Sequence, residues 1–363
     1  MDSMQAAFGE PTETRAIQFT GNWREYFPIA ATNVLLILVT LGIYRFWAAA
    51  RQRRYLWSRT HFIDDHLEWT GTGKEMFIGF LVVLAILLPF FLFIQFAFPA
   101  LLARGMEWQA FGLFFIFYIA LFYLGGFARF RALRYRLSRS WWHGIRGGSN
   151  DPGWAFAGQY TGRHALSAVT LFILFPWAAT RLWNARWNAM SFGPLRFQAD
   201  LTAEGLKRRW ALVYLVPIIG FALAMFGLAG LFAASSGDEA ALGSMLAPLI
   251  AVLVIFYIGI PLATLHWFAK FYRQAAQATS LGELEFGFDA RTRDWLKLFL
   301  GNIGLAVITL GFGIAYWGYR NWSFMVRHMH IYGEVDLSRL TQSEARAPSE
   351  AEGFADAFDI GAI

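Results

Sequence analysis

Four stretches of this 363-residue chain, 76–103, 110–127, 211–234 and 245–265, hold no Asp, Glu, Lys, Arg or His. An α-helix rises about 1.5 Å per residue and a bilayer's hydrocarbon core is about 30 Å thick, so about 20 apolar residues cross it. Only 15% of the chain is charged, against about 25% in soluble domains, too little to cover the surface of a water-soluble fold that buries four such stretches. The sequence therefore predicts an all-α integral membrane protein with four long transmembrane helices. Pro89 and Pro99 are natural kink sites in the first.

Three further apolar stretches, 28–44, 165–179 and 298–317, are shorter or interrupted by Asn, Thr and Gly. Basic residues decide what they do, because cytoplasmic loops carry the Lys and Arg. If all seven stretches cross, the 31 Lys and Arg divide 17 to 14. If only the four long ones cross, they divide 30 to 1. The second arrangement predicts three short or re-entrant helices that enter and leave by the cytoplasmic face or lie in the interface.

Those three stretches align without a gap. Tyr26, Thr40, Leu41, Trp47 and Arg51 become Phe156, Thr170, Leu171, Trp177 and Arg181 at an offset of 130. At an offset of 269 they become Trp295, Thr309, Leu310, Tyr316 and Arg320. Long-period repetition in an apolar chain predicts internal duplication. The expected organisation is a first unit at 1–150, a parallel second unit at 151–285 and a truncated third at 286–337. A disordered tail is expected from Ser338.

Fifteen of the sixteen tryptophans fall in the expected cytoplasmic segments or the short elements, as an aromatic belt would. Trp183, Trp187 and Met190 share a helix face, as do Tyr319, Trp322 and Met329. Each stripe fits a helix in the membrane interface with Arg186 or Arg320 reaching phosphate, or a helix packed on the protein's own bundle. Short β-like stretches at 17–20, 61–69, 191–197, 284–288 and 330–335 predict small cytoplasmic β hairpins.

The run Phe19-Thr-Gly21, Glu25-Tyr-Phe27, Asn33, Thr40-Leu-Gly-Ile-Tyr44, Trp47, Arg51 and Gly71-Thr-Gly-Lys-Glu75 resembles the YjgN-like family of bacterial inner-membrane proteins. Asn302 and Thr309-Leu-Gly311 restate part of it, whereas the middle copy has Arg163 for the Asn and Phe172 for the Gly. The resemblance implies a multipass inner-membrane protein of no assigned function and supplies no catalytic residues.

The remaining chemistry is sparse. There is no cysteine, which excludes disulfides, thiolate metal sites and a Cys nucleophile. Gly71-Thr-Gly-Lys74 is a fragment of a phosphate loop, but Glu75 stands where Ser or Thr is needed, and a Gly-rich turn into the first span explains it better. His328 and His330, or His61 and His66, match no recognised zinc spacing. The four long spans carry no titratable group for intramembrane catalysis or a proton relay. No enzyme activity, metal, cofactor or nucleic-acid partner is expected. The expected partners are the bilayer and its lipid headgroups. Asn33, Thr40, Asn302 and Thr309 are the candidates for a polar pocket, with interhelical hydrogen bonding as the plainer alternative. Arg51, Arg181, Arg320, Trp47 and Trp177 are the candidate headgroup contacts. The functional expectation is transport, permeation or lipid handling; the alternative is a non-catalytic scaffold that binds a partner through its Trp/Arg-rich face.

Overall fold

A computed structural model describes residues 16–234, 250–335, 341–343 and 345. Its organising element is a meander of short antiparallel strands from which pairs of helices are suspended. The strands are β1 (Ile17–Phe19), β2 (Thr60–Phe62), β3 (Asp65–His66), β4 (Glu68–Trp69), β5 (Ser140–Trp142) and β6 (Ile145–Gly148). They continue as β7 (Ser191–Phe192), β8 (Leu195–Ala199), β9 (Thr279–Leu281), β10 (Leu284–Phe288) and β11 (Met329–Tyr332). β1–β3 form one sheet and β4–β11 another, and β11 comes alongside β1.

Two long helical pairs leave this meander and return to it. The first is α3 (Gly73–Ala103) with α4 (Glu107–Arg139), and the second is α7 (Lys207–Ala234) with α8 (Ile250–Gln277). These are the four helices long and apolar enough to cross a membrane. At most 11% of each apolar window is buried, so their hydrophobic surface faces outward, as a lipid-embedded bundle requires. Pairing of Glu68 with Trp141 and of Gln198 with Ser280 brings both ends of each pair to the same sheet. Each pair therefore crosses an even number of times. The expected kink at Pro99 takes the form of a π-helical turn over Phe93–Ala97, and a second such turn, Ile255–Gly259, precedes Pro261. A proline has no N–H for the carbonyl four residues back, and the wider turn absorbs the gap.

Three short pairs alternate with the long ones. They are α1 (Trp23–Val39) with α2 (Arg45–Ser58), α5 (Trp154–Val169) with α6 (Phe175–Trp187), and α9 (Thr292–Ile308) with α10 (Trp317–His328). Each is clasped by a strand pair: Ile17 faces Phe62, Gly147 faces Phe192, and Phe286 faces Ile331. Those partners are related by the offsets 130 and 269 found in the sequence.

These hairpins correct the expectation of three single short helices over 28–44, 165–179 and 298–317. The stretch 28–44 holds most of α1 and a turn, and the second arm is the basic segment beyond it. The reason is the Thr-Leu dipeptide. Leu41, Leu171 and Leu310 all have a left-handed backbone, with φ of 50°, 51° and 51°. Each N–H bonds three residues back, to Leu38, Ala168 or Val307, while the next residue's N–H bonds five back, to Ile37, Ser167 or Ala306. That is a Schellman helix stop, with leucine where glycine is usual. The preceding Thr40, Thr170 and Thr309 hydroxyls each donate to the carbonyl four residues back.

The β layer is also larger than the small hairpins expected, because β5 and β6, in Ser140–Gly148, link the first half of the meander to the second. The tryptophan stripes face inward rather than toward an interface. Met190 is buried, Trp183 packs edge-on to Phe271, and Trp322 stacks on Trp57 at 4.1 Å while donating to Thr60 Oγ1. The third hairpin closes on the first: Tyr319 Oη donates to the Gly21 carbonyl and Tyr26 Oη to that of Ala315. The tail lies mostly outside the described residues; its described part, 341–343 and 345, packs beside β6, where Arg146 donates to the Ala345 carbonyl.

Candidate functional site

The outer end of each short hairpin is built alike. Around each left-handed leucine the side chains are apolar and uncovered: Leu41 is 94% exposed, Leu171 74% and Leu310 90%. Val39, Val169 and Ile308 flank them, also exposed. Thr40 and Thr309 are engaged inside their turns, each also accepting from a backbone N–H four residues on, Tyr44 or Gly313.

Farther from the tips, the buried amides bind across their own hairpins. Asn33 donates to the Ala48 carbonyl on the second arm, and its Oδ1 is buried without a partner. Asn302 is better satisfied: Oδ1 accepts from Arg320 Nε at 2.7 Å, and Nδ2 donates to Asn321 Oδ1 at 3.0 Å. Asn33, Thr40, Asn302 and Thr309 line neither of the two described clefts, one of which, about 460 Å³, lies between the turn after β6, the β7–β8 hairpin and tail residues 341–343 and 345. Replacing Asn302 by Leu strands two polar partners and is expected to cost about 1–3 kcal/mol. Asn33→Leu, which removes one long bond and an already orphaned oxygen, is expected to cost less; thermal unfolding of the two variants in the same detergent orders them.

The candidate headgroup residues sit between the tips and the sheet. Arg51 and Arg181 are exposed, while Arg320 turns inward to Asn302. In the middle hairpin Arg163 takes the place of the Asn and donates to the Arg181 carbonyl, so two guanidinium-bearing residues stand together with no carboxylate on either helix. Trp47 and Trp177 are part-exposed at matching positions, and Trp47 packs on Phe77 at 5.6 Å.

Two groups that sequence reasoning weighed as metal ligands have other roles. Asp289 accepts from His328 at 2.5 Å and from His330 at 3.1 Å, joining the end of β10 to the end of α10 and to β11. Burial alone would raise its pKa, but the two histidine hydrogen bonds prevail and hold it below the usual carboxylate range. A depressed folded pKa gives stability present above the unfolded value of about 3.9 and lost as pH falls through the folded value. Asp289→Asn is expected to flatten that acid-side loss, measured as the thermal midpoint between neutral pH and about pH 3. His61 and His66 pack against one another across β2 and β3, their rings tilted with centroids 3.7 Å apart. Among the described residues, no group of three or more His, Cys, Asp or Glu side chains is arranged to hold a metal ion.

Sequence reading missed the Glu75 clasp. Its carboxylate accepts from Tyr135 Oη at 2.8 Å and Arg139 at 2.9 Å, tying the first turn of α3 to the last turns of α4. Only the position of Glu75 in a first helical turn hinted at it.

The family described as bacterial protein of unknown function, DUF898, matches residues 14–357. The chain belongs to the DUF898 family. Curated relatives bear the name inner membrane protein YjgN. The relative from Salmonella typhimurium strain LT2 is 34% identical over 95 residues, and that from Escherichia coli K12 is 35% identical over 79. A third, from Escherichia coli O157:H7, is 29% identical over 128 residues. The matches cover 26%, 22% and 35% of this chain and 23%, 18% and 29% of those relatives. The chain thus aligns with less than a third of each relative's length. No solved structure matches it. With four candidate spans and these relatives, this DUF898 member is a multipass inner-membrane protein embedded in the lipid bilayer, of a family whose function is unknown.

Proposed function

We propose that this protein is a non-catalytic handler of phospholipid, whose three short hairpins dip into the cytoplasmic leaflet and return. The observation that carries the reading is the set of left-handed leucine tips, 74–94% exposed, on hairpins whose strands begin and end at one sheet. A 17-residue arm such as α1 or α9 is about 25 Å long, short of a full crossing. Exposed Leu, Ile and Val at such a tip are costly in water and favourable in acyl chains. The 30-to-1 partition of Lys and Arg supports a cytoplasmic sheet. Arg51, Arg181, Trp47 and Trp177 then lie between sheet and tips as headgroup contacts, where a guanidinium forks onto phosphate, while Arg320 is held inward by Asn302. Asn33, Thr40, Asn302 and Thr309 brace the hairpins by hydrogen bonds within their own turns and arms, with Asn33 Oδ1 the one unpaired acceptor among them.

The same reading takes the chain as two parallel units, 1–150 and 151–285, with a truncated third at 286–337. Its support is that strand pairing keeps its register at the offsets 130 and 269, and that Glu68↔Trp141 and Gln198↔Ser280 frame the two long hairpins equivalently.

The test is reconstitution in liposomes carrying a fluorescent phospholipid, with dithionite bleaching to read movement between leaflets. The wild-type protein is expected to speed redistribution, and Leu41→Ser, Leu171→Ser and Leu310→Ser together to slow it severalfold. Redistribution no faster than in protein-free liposomes would count against lipid movement.

A further inference from the structure

The tail residues beside β6 are held by groups that fit them closely. The Gln342 side-chain amide grips the β5–β6 turn with both of its ends. Its Oε1 accepts from the Arg146 N–H at 3.3 Å, and its Nε2 donates to the Gly144 carbonyl at 2.9 Å. Three residues on, the Ala345 carbonyl accepts from Arg146 Nη2 at 2.6 Å. The segment also braces itself: the Ser343 N–H donates to Gln342 Oε1, and the Ala345 N–H to Ser343 Oγ. Ser343 and Ala345 are buried against the sheet, while Thr341 and Gln342 are exposed. The sheet leaves room for this. A Cβ on Gly148 would lie 2.9 Å from the Ala345 Cβ, and Gly148 is not a positive-φ residue, so what its glycine supplies is space. The position 130 residues earlier, on β1, carries a full side chain, Gln18.

The grip is nevertheless polar. The two side chains it buries are a serine and an alanine, and the 460 Å³ cleft separates Thr341, Gln342 and Ser343 from Asp151, Asn188 and Arg196. Hydrogen bonds exchanged for those of water gain little net, and each ordered residue costs chain entropy. A segment held in this way opens locally far more readily than the core beneath it.

We propose that the tail segment bearing Thr341, Gln342, Ser343 and Ala345 is a detachable latch, docked in a peptide groove of its own chain where β6 meets β7. Docked, it braces the junction through which the first half of the meander joins the second. Released, it opens the cleft and frees the Gly144 carbonyl, the Arg146 N–H and the Arg146 guanidinium to take another peptide segment. The latch does not depend on the hairpin tips entering lipid.

The test uses the purified full chain, which has no native cysteine. Ser343→Cys is labelled with a maleimide beside Arg293→Cys, an exposed position at the start of α9. A latch predicts that Ser343→Cys reacts at least about tenfold more slowly than Arg293→Cys, yet to completion. Two changes release it from opposite sides. Gln342→Ala removes both bonds to the β5–β6 turn; Gly148→Ala sets a methyl group against Ala345 and leaves the tail unaltered. Each is expected to speed labelling of Ser343→Cys by about tenfold and to leave Arg293→Cys unchanged. A labelling rate that does not change on dilution assigns the docked tail to its own chain, whereas protection lost on dilution would give it to a second copy and overturn the proposal. It is overturned equally if Ser343→Cys reacts as fast as Arg293→Cys or not at all, or if neither Gln342→Ala nor Gly148→Ala speeds it.

Discussion

Leu310→Asp is expected to lower the stability of the protein in lipid nanodiscs by about 2.5–3.5 kcal/mol, the cost of a central carboxylate on an insertion scale. The leucine sits at the tip of the third hairpin, 90% exposed. If that tip met water, the same change would shift stability by no more than about 0.5 kcal/mol, as surface substitutions do. Leu310→Gly separates the two effects. It relieves a left-handed leucine, worth about 1–2 kcal/mol, while adding no charge. The glycine variant should therefore remain folded and inserted where the aspartate variant does not. Thermal unfolding in nanodiscs, with membrane-fraction yield beside it, measures both.

Gly73→Val is expected to be among the most damaging single changes at the ends of the spans. A Cβ at residue 73 would lie 2.6 Å from Trp47 Cα, closer than atoms approach, and a backbone atom cannot swing aside. The long helix α3 starts there, with Thr72 as its N-cap, so the clash separates the first long hairpin from α2. Overpacking of this kind costs about 1–3 kcal/mol, with the upper end expected where backbone is struck. Lys74→Ala, one residue on, is exposed and is expected to be nearly neutral. The contrast separates the packed turn from a phosphate loop, in which the lysine would be the sensitive position. Thermal midpoints of the two variants in one detergent decide it.

The long spans were legible because exclusion of charge over about 20 residues is a strong constraint that few other structures impose. The matched Thr-Leu pairs were legible as a spacing, but their meaning was not. A leucine with positive φ is rare enough that no propensity points to it, and the turn lay inside a short apolar stretch, 28–44, whose Thr and Gly did not single it out. The second arms, α2, α6 and α10, were obscured by their arginines, whose sequence resembles an interfacial segment whichever way the aromatic face points. Structure turned Trp183 and Trp322 inward, with Trp183 Nε1 bound to Thr279 Oγ1. The meander was only partly visible, because strands of two to five residues carry almost no periodicity.

The central claim is that the short hairpins return to the face they leave, so that the sheet and nearly all basic residues share one aqueous side. The native chain has no cysteine, so single cysteines report without background. Thr202→Cys, beyond the second hairpin, Leu171→Cys, at its tip, and Arg104→Cys, between α3 and α4, are labelled with a membrane-impermeant maleimide in intact spheroplasts and in inverted vesicles. The account predicts that Thr202→Cys reacts only in inverted vesicles, Arg104→Cys only in spheroplasts, and Leu171→Cys in neither. Labelling of Thr202→Cys from the periplasmic side would contradict it, because the middle hairpin would then have crossed the membrane.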